Sequence, residues 1–304
     1  LGAEEAQAAA AVVASGHIAE GPQVEAFERE LAGFIGVAHA VCVSSGTAAL
    51  HLALAAMGVG PGDEVVVPSF VCSALLNAVT VTGAAPVMAE IDPATLNLDP
   101  QDVERRLSRC TRAVVVPHMF GLPADLDRLL SLGVPLVEDC AQSIGARYRG
   151  RPVGSHGEAA IFSFYATKVL ATGEGGMVAT AARSLAEAVR DLKTYDQKDD
   201  YRLRFNYKMT DIQAAVGRVQ LGRLDGFIRR RREIAGRLRA AFQGLPVRLP
   251  PDDPGHIYFR FVVDLGADGA AFIRRAHQEG IGCERPVHTP LHRLQHLAGF
   301  ALTE

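Results

Sequence analysis

The sequence predicts an α/β protein: a mostly parallel central sheet with helices on both faces, followed by a smaller α+β unit at the C-terminal end. Three observations carry this prediction. Short Val- and Ala-rich apolar runs alternate with helix-patterned segments, the arrangement that packs helices on a buried parallel sheet through right-handed crossovers. Two of these runs, Ala159 to Phe164 and Gly175 to Thr180, are only about ten residues apart, too close for a parallel crossover, so as neighbours they would pair antiparallel. Gly244-Leu245-Pro246 and Pro250-Pro251-Asp252-Asp253-Pro254 then punctuate the chain before a shorter strand-and-helix pattern.

Taken in order, Glu4 to Ser15 and Val24 to Ile35 read as helices around a Gly16 to Pro22 loop. Val41 to Val43 is a strand, Ser44-Ser45-Gly46 a turn and Thr47 to Met57 an Ala/Leu-rich helix. The strand Glu64 to Pro68 precedes a helix over Phe70 to Val81, then a strand over Pro86 to Ile91. Asp99 to Leu107 and Pro123 to Leu132 read as helices, and Ala113 to Pro117 and Val134 to Glu138 as strands. Ser184 to Thr194 is helical, Tyr195 to Tyr207 a polar connection with aromatics, and Met209 to Gln243 one long helix or two in series. In the smaller unit, Ile257 to Leu265 reads as a strand and Gly269 to Glu279 as a helix. The expected division is a large domain over residues 1–225 and a small one over 226–304.

At 304 residues and 48% hydrophobic content the chain can bury a large core. Its 31 basic and 34 acidic residues leave a net charge of -3, which gives no electrostatic case for nucleic acid or an anionic membrane as partner. The basic run Arg229 to Arg232 sits in a helical pattern and reads as a solvated face. Five widely spaced cysteines, without a Cys-x-x-Cys pair, suggest neither zinc nor a disulfide framework, so no metal is expected and a reducing cytoplasm fits. No apolar run approaches the ~18 residues of a membrane span, and the Ala-rich start has no secretory pattern. The chain begins at Leu1 rather than Met, so residues upstream are expected.

The chemistry centres on Gly157 to Thr180, GEAAIFSFYATKVLATGEGGMVAT. A lysine held between an apolar strand and a Gly-rich return loses hydration, which favours the neutral, nucleophilic amine and Schiff-base formation. Alone, Lys168 is as well explained as a solvated strand-edge residue. Its company changes the balance: Ser163 stands five positions earlier, Glu138 to Gln142 (EDCAQ) follows another apolar run, and Ser44 to Leu50 (SSGTAAL) follows a third. Asp139 and Ser44 both lie directly after strands, at the carboxyl edge where ligands of such sheets bind. Gly46 and Thr47 open a helix, where free N–H groups and the positive dipole end form an anion site, although an ordinary Ser cap has the same pattern.

The runs SSGTAALHLAL, VEDCAQSIGARYRG, FSFYATKVLATGEGG and NYKMTDIQAAVGRVQL, in that order from Glu4 to about His292, resemble the pyridoxal-phosphate sugar aminotransferases of the DegT/StrS group. The resemblance implies the type I aminotransferase fold, with the N-terminal helices near a dimer interface, and pyridoxal 5'-phosphate as cofactor. It implies Lys168 as covalent anchor and proton shuttle, Asp139 as partner of the pyridinium nitrogen, Gln142 at the ring hydroxyl, and Gly46, Thr47 and Ser163 at the phosphate. Asn206 would reach the cofactor phosphate of a neighbouring subunit, making a homodimer with shared sites. Two positions depart from the pattern: Cys72 stands where an aromatic usually stacks on the ring, with Phe70 nearby, and Arg204 where a glycine is common. Similar proteins continue beyond residue 304, so the small domain is expected to be incomplete.

The implied reaction moves an amino group from an amino acid, L-glutamate first among donors, to a keto-sugar linked to a nucleotide. Lys168 argues against the group's sugar dehydratases, which carry His there. Acceptor contacts are expected from the loop holding His17, from Tyr195 and Arg204, and from His288 or His292. The alternatives are a keto-cyclitol or keto-acid aminotransferase and a non-catalytic cofactor-binding regulator.

Overall fold

The computed structural model describes residues 1–266 and 269–295; of the expected small domain, residues 267–268 and 296–304 lie outside that range. The helices are α1 (Ala3–Ser15), α2 (Pro22–Ile35), α3 (Gly46–Ala56), α4 (Ala74–Thr82), α5 (Pro100–Arg106), α6 (Leu126–Leu130), α7 (Arg183–Leu192), α8 (Asp211–Ala241), α9 (Gly269–Gln278) and α10 (Leu291–Gln295). The strands are β1 (His39–Val43), β2 (Glu64–Pro68), β3 (Ala85–Ala89), β4 (Thr111–Pro117), β5 (Leu136–Asp139), a hairpin of β6 (Arg147–Tyr148) and β7 (Arg151–Pro152), β8 (Ala159–Ser163) and β9 (Gly176–Thr180).

Seven strands form one sheet in the order β1-β9-β8-β5-β4-β2-β3. β2, β3, β4, β5 and β8 run parallel, and β9 lies antiparallel between β8 and β1. The close spacing of β8 and β9 had required that antiparallel pairing. Side chains alternate between the two faces: Val65 and Val67 of β2 enter a core with α3, α4 and α7, whereas Val66 packs with α5 and α6. Ala160 and Phe162 of β8 join Phe27 and Leu31 of α2 and Leu224 of α8 on that second side. Both faces are therefore dry, which is why the strands read as unbroken apolar runs.

Three details differ from expectation. α4 begins at Ala74 rather than Phe70, because Ser69 stays tied to other elements: its N–H donates to the Ala89 carbonyl (2.9 Å) and its carbonyl accepts from the Leu291 N–H (2.7 Å). The strand expected over Ile257 to Leu265 is absent; Tyr258 has φ +51°, and the segment's one ladder contact is the bridge between Arg248 and Asp264. Its carbonyls bind α8 side chains instead. Arg231 donates to the carbonyls of Tyr258 (3.3 Å) and Phe259 (3.0 Å) within it, and Arg232 to those of His256 (3.0 Å) and Pro254 (2.8 Å) just before it. Half of the basic run is thus a clasp on the following segment rather than a solvated face. α8 is a single helix of 31 residues that passes through residue 225 without a break.

Candidate active site

The carboxyl ends of β1, β2, β4, β5 and β8 lie along one edge of the sheet, and the residues expected at the cofactor lie on or just after them. After β1, the Ser45 hydroxyl caps α3 by accepting the Ala48 N–H (3.1 Å), which leaves the N–H groups of Gly46 and Thr47 in the first turn free of helical partners. Two glycines let this helix end approach the sheet. A Cβ on Gly46 would lie 2.6 Å from the Ser163 Cβ, and one on Gly176 would lie 2.3 Å from the Ser45 carbonyl oxygen. The result is a cradle of neutral donors, two backbone amides and the half-buried Ser163 hydroxyl, at the positive end of a helix dipole.

Lys168 hangs in the connection between β8 and β9. That connection is closed by hydrogen bonds from Phe164 N–H to Gly175 O (2.9 Å) and Thr172 N–H to Phe164 O (2.8 Å), and Val169, Leu170 and Ala171 anchor it in the core. Lys168 itself is half-buried, with Nζ 5.4 Å from the centroid of the Phe259 ring. Asp139, the last residue of β5, is buried with Oδ1 accepting the Ala141 N–H (2.9 Å). Burial pushes its carboxyl above the usual range, opposed by that amide and by Lys168 and His118. Cys72 is solvent-accessible as a residue, yet its thiol packs beside the same groups; burial and the Asp139 carboxylate push it up while Lys168 pulls it down.

Gln142 is oriented from behind, its Oε1 accepting the N–H of Phe120 (3.0 Å), a residue with φ +55°. Asn206 is exposed and has no side-chain partner among the described residues. Its neighbours Phe205 and Tyr207 stack on each other (centroids 5.1 Å apart) and meet the ring of His51 edge-on. The Tyr207 carbonyl accepts the Ser44 N–H (2.8 Å) beside the cradle.

The expected acceptor residues do not gather. His17 lines a cleft between α1, α2 and α8 with Asp211 and Arg218. Arg204 has a side chain 5% exposed and bound to Asp191 (3.1 Å) and Asp200 (2.7 Å), so it pins the connection after α7. Tyr195 is exposed on that connection. His292 meets the Ser69 hydroxyl (2.5 Å) at the end of β2, and His288 bonds to the neighbouring Thr289 (3.1 Å).

Two features escaped the sequence reading. Glu138 is fully buried and accepts from the N–H groups of Gly154 (2.7 Å), His156 (2.7 Å) and Gly157 (2.8 Å) and from His118 Nε2 (3.1 Å). Burial alone would raise its carboxyl, but the bonds from His118, His156 and Gly154 hold it well below the usual range. Because His118 Nδ1 accepts the Ala124 N–H (3.0 Å), its proton sits on Nε2. His118, Glu138 and Cys140 come close enough to suggest a metal, but the histidine and carboxylate are already satisfied as a hydrogen-bonded network. A charged residue inside an apolar run was the available signal for Glu138. For Phe259, remote in sequence and contacting Lys168, there was none.

Comparison with known proteins decides the family. The model of the DegT/DnrJ/EryC1/StrS aminotransferase family matches residues 1–301. The chain belongs to that family. It is 40% identical to the spore coat polysaccharide biosynthesis protein SpsC of Bacillus subtilis, over 96% of this chain and 81% of that one. It is 38% identical to the GDP-perosamine synthase of Caulobacter vibrioides, over 90% and 78%. The S. venezuelae DesV structure, in complex with a ketimine intermediate, superposes with TM-score 0.93 at 39% identity, covering 99% of this chain and 84% of DesV. Spr1654 of Streptococcus pneumoniae in its PLP-form superposes with TM-score 0.93 at 27% identity, covering 99% and 86%. The enzyme is therefore a pyridoxal-phosphate-dependent transaminase of type I fold and sugar aminotransferase kinship. Among the described residues, no helix is long and apolar enough to cross a membrane.

Proposed function

We propose that this transaminase takes its amino group from L-glutamate and delivers it to a keto-sugar carried on a nucleotide. The observation that carries this reading is the meeting of Lys168, buried Asp139 and the Gly46–Ser163 cradle at one edge of the sheet. The relative named GDP-perosamine synthase supports the nucleotide handle.

The residues fit the cofactor. The α3 cradle, too tight at Gly46 for any side chain, suits a phosphate; Asp139 suits a ring nitrogen that carries a proton; Gln142 suits the ring hydroxyl. When bound, pyridoxal phosphate supplies the electron sink that side chains lack. Lys168 would hold it covalently and, once freed by the donor's amine, its Nζ would take the proton from the donor's α-carbon. Asp139 keeps one oxygen on the Ala141 N–H and offers its charge to the ring nitrogen. Cys72 covers the ring with a smaller group than an aromatic. Arg204 orders the connection after α7, on which Tyr195 is exposed, and His292 closes the β2 end through Ser69; His17 and His288 are left at the periphery.

Exposed Asn206 supports a homodimer in which each copy completes the other's phosphate site; we further propose 1–225 as the cofactor-binding domain, 226–304 as the small one, and a cytoplasmic location. Mixing Lys168→Ala and Asn206→Ala proteins tests the shared site: activity regained in the mixture supports it, and an inactive mixture counts against it. For the acceptor, the loaded enzyme is incubated with glutamate and nucleotide-linked keto-sugars, and the exchange of oxygen for an amino group is followed by mass. Turnover of a free keto acid or keto-cyclitol in preference to every nucleotide-linked sugar would replace this reading.

A further inference from the structure

Among the described residues, Lys168 Nζ has no hydrogen-bond or ion-pair partner; what it faces is the ring of Phe259, 5.4 Å from the centroid. That lies within the ~6 Å over which a ring's negative face attracts an ammonium. The ring itself is held with care. Phe259 is 9% exposed, and its carbonyl accepts from Arg231 (3.0 Å). Two residues earlier, the Ile257 N–H donates to the Gly121 carbonyl (3.0 Å). Gly121 has φ +90°, and a Cβ there would lie 2.6 Å from Ile257 Cγ1 and 3.0 Å from the Phe259 nitrogen. The segment is therefore pressed on the turn after β4, where Gly121 also abuts the Gln142 carbonyl, and Phe259 cannot drift from the lysine without losing both anchors.

We propose that Phe259 is a positioning residue for Lys168: its ring is the seat of the lysine amine, as an ammonium, whenever that amine is not joined to the cofactor. This rests on the transaminase reading above and adds a sign to it. When the lysine amine condenses with the cofactor aldehyde and releases water, Nζ leaves the seat. When glutamate has been converted to 2-oxoglutarate and the cofactor to its amine form, Nζ returns. The ring therefore opposes cofactor capture and favours the first half-reaction by the same factor.

The test uses the full chain. The parent and Phe259→Leu are titrated with pyridoxal phosphate by visible absorbance, and the loaded proteins are then titrated with L-glutamate in the presence of 2-oxoglutarate. The expected result is a pair of opposite shifts. Phe259→Leu captures the cofactor about two- to fivefold more tightly and needs a glutamate-to-oxoglutarate ratio higher by the same ~two- to fivefold for half-bleaching. Phe259→Tyr, which keeps the ring, restores the parent values and guards against a leucine variant that folds badly. Simple loss of packing would weaken capture and conversion together. That joint loss, or no change in either equilibrium, overturns the proposal while leaving the transaminase reading intact; a parent that takes up no cofactor sinks both.

Discussion

Replacing Gly46 with alanine separates the cradle from the rest of the fold. The added Cβ would sit 2.6 Å from the Cβ of Ser163 and 3.3 Å from its Cα, the former about 1 Å inside an ordinary carbon–carbon contact. Neither atom is the free end of a flexible side chain, so the first turn of α3 or the last residue of β8 must move. Overpacking of this kind costs about 1–3 kcal/mol, and alanine in the helix returns up to ~1 kcal/mol relative to glycine. The net loss of about 0–3 kcal/mol should therefore lower the melting temperature by no more than about 5 °C. Cofactor affinity, which needs the Gly46 and Thr47 amides and the Ser163 hydroxyl at one spacing, should fall about five- to a hundredfold, at tenfold per ~1.4 kcal/mol. The assay is a titration with pyridoxal phosphate followed by absorbance. Gly33→Ala, on a helix position with nothing within 4 Å of the new Cβ, serves as control. A Gly46→Ala protein that binds the cofactor as tightly as Gly33→Ala would refute the cradle.

Other outcomes follow from the buried groups. Glu138→Ala strands four buried donors, three amides and His118 Nε2, and should cost about 3–5 kcal/mol in urea unfolding; a loss below 1 kcal/mol would contradict the network. Acid should destabilise the protein in two windows. Burial lowers His256 from 6.5 to about 4, so the unfolded chain takes up that proton first and stability falls as pH drops from 6.5 toward 4. Glu5, which burial would raise, is brought from 4.5 to about 2 by Gln220, the backbone amides at Gly2 and Glu5, and Arg223. Its contribution is present above pH 4.5 and lost toward 2. His256→Asn should flatten the melting profile in the upper window only, and an unchanged profile there would show that His256 does not carry it.

Most of the architecture was legible because apolar period and chain length constrain it. The alternating runs required a two-sided sheet, and the short span around Lys168 required the antiparallel β8–β9 pair. What was illegible lies in contacts between distant segments. Nothing local at Phe70 says that Ser69 will be claimed by Leu291 and Ala89, which delays α4. Nothing at Ile257 to Leu265 says that its Tyr258 and Phe259 carbonyls will bind Arg231 from α8 instead of another strand. The same holds at the site. Gly46, Asp139 and Ser163 could be singled out because each stands at a helix start or strand end, and Gln142 and Lys168 because each follows a strand by a few residues, whereas Phe259 reaches Lys168 across about ninety positions of sequence. The ion pairs of Arg204 were illegible for a related reason: its carboxylate partners, Asp191 at the end of α7 and Asp200 in the connection, meet it along a path the sequence does not specify.

The most direct test is the visible absorption spectrum of the purified protein with pyridoxal phosphate, before and after L-glutamate. The account predicts a yellow band that depends on Lys168, is absent in Lys168→Ala, and bleaches on adding glutamate as 2-oxoglutarate is released. A band that no amino donor bleaches, or a Lys168→Ala protein indistinguishable from the parent, would contradict it.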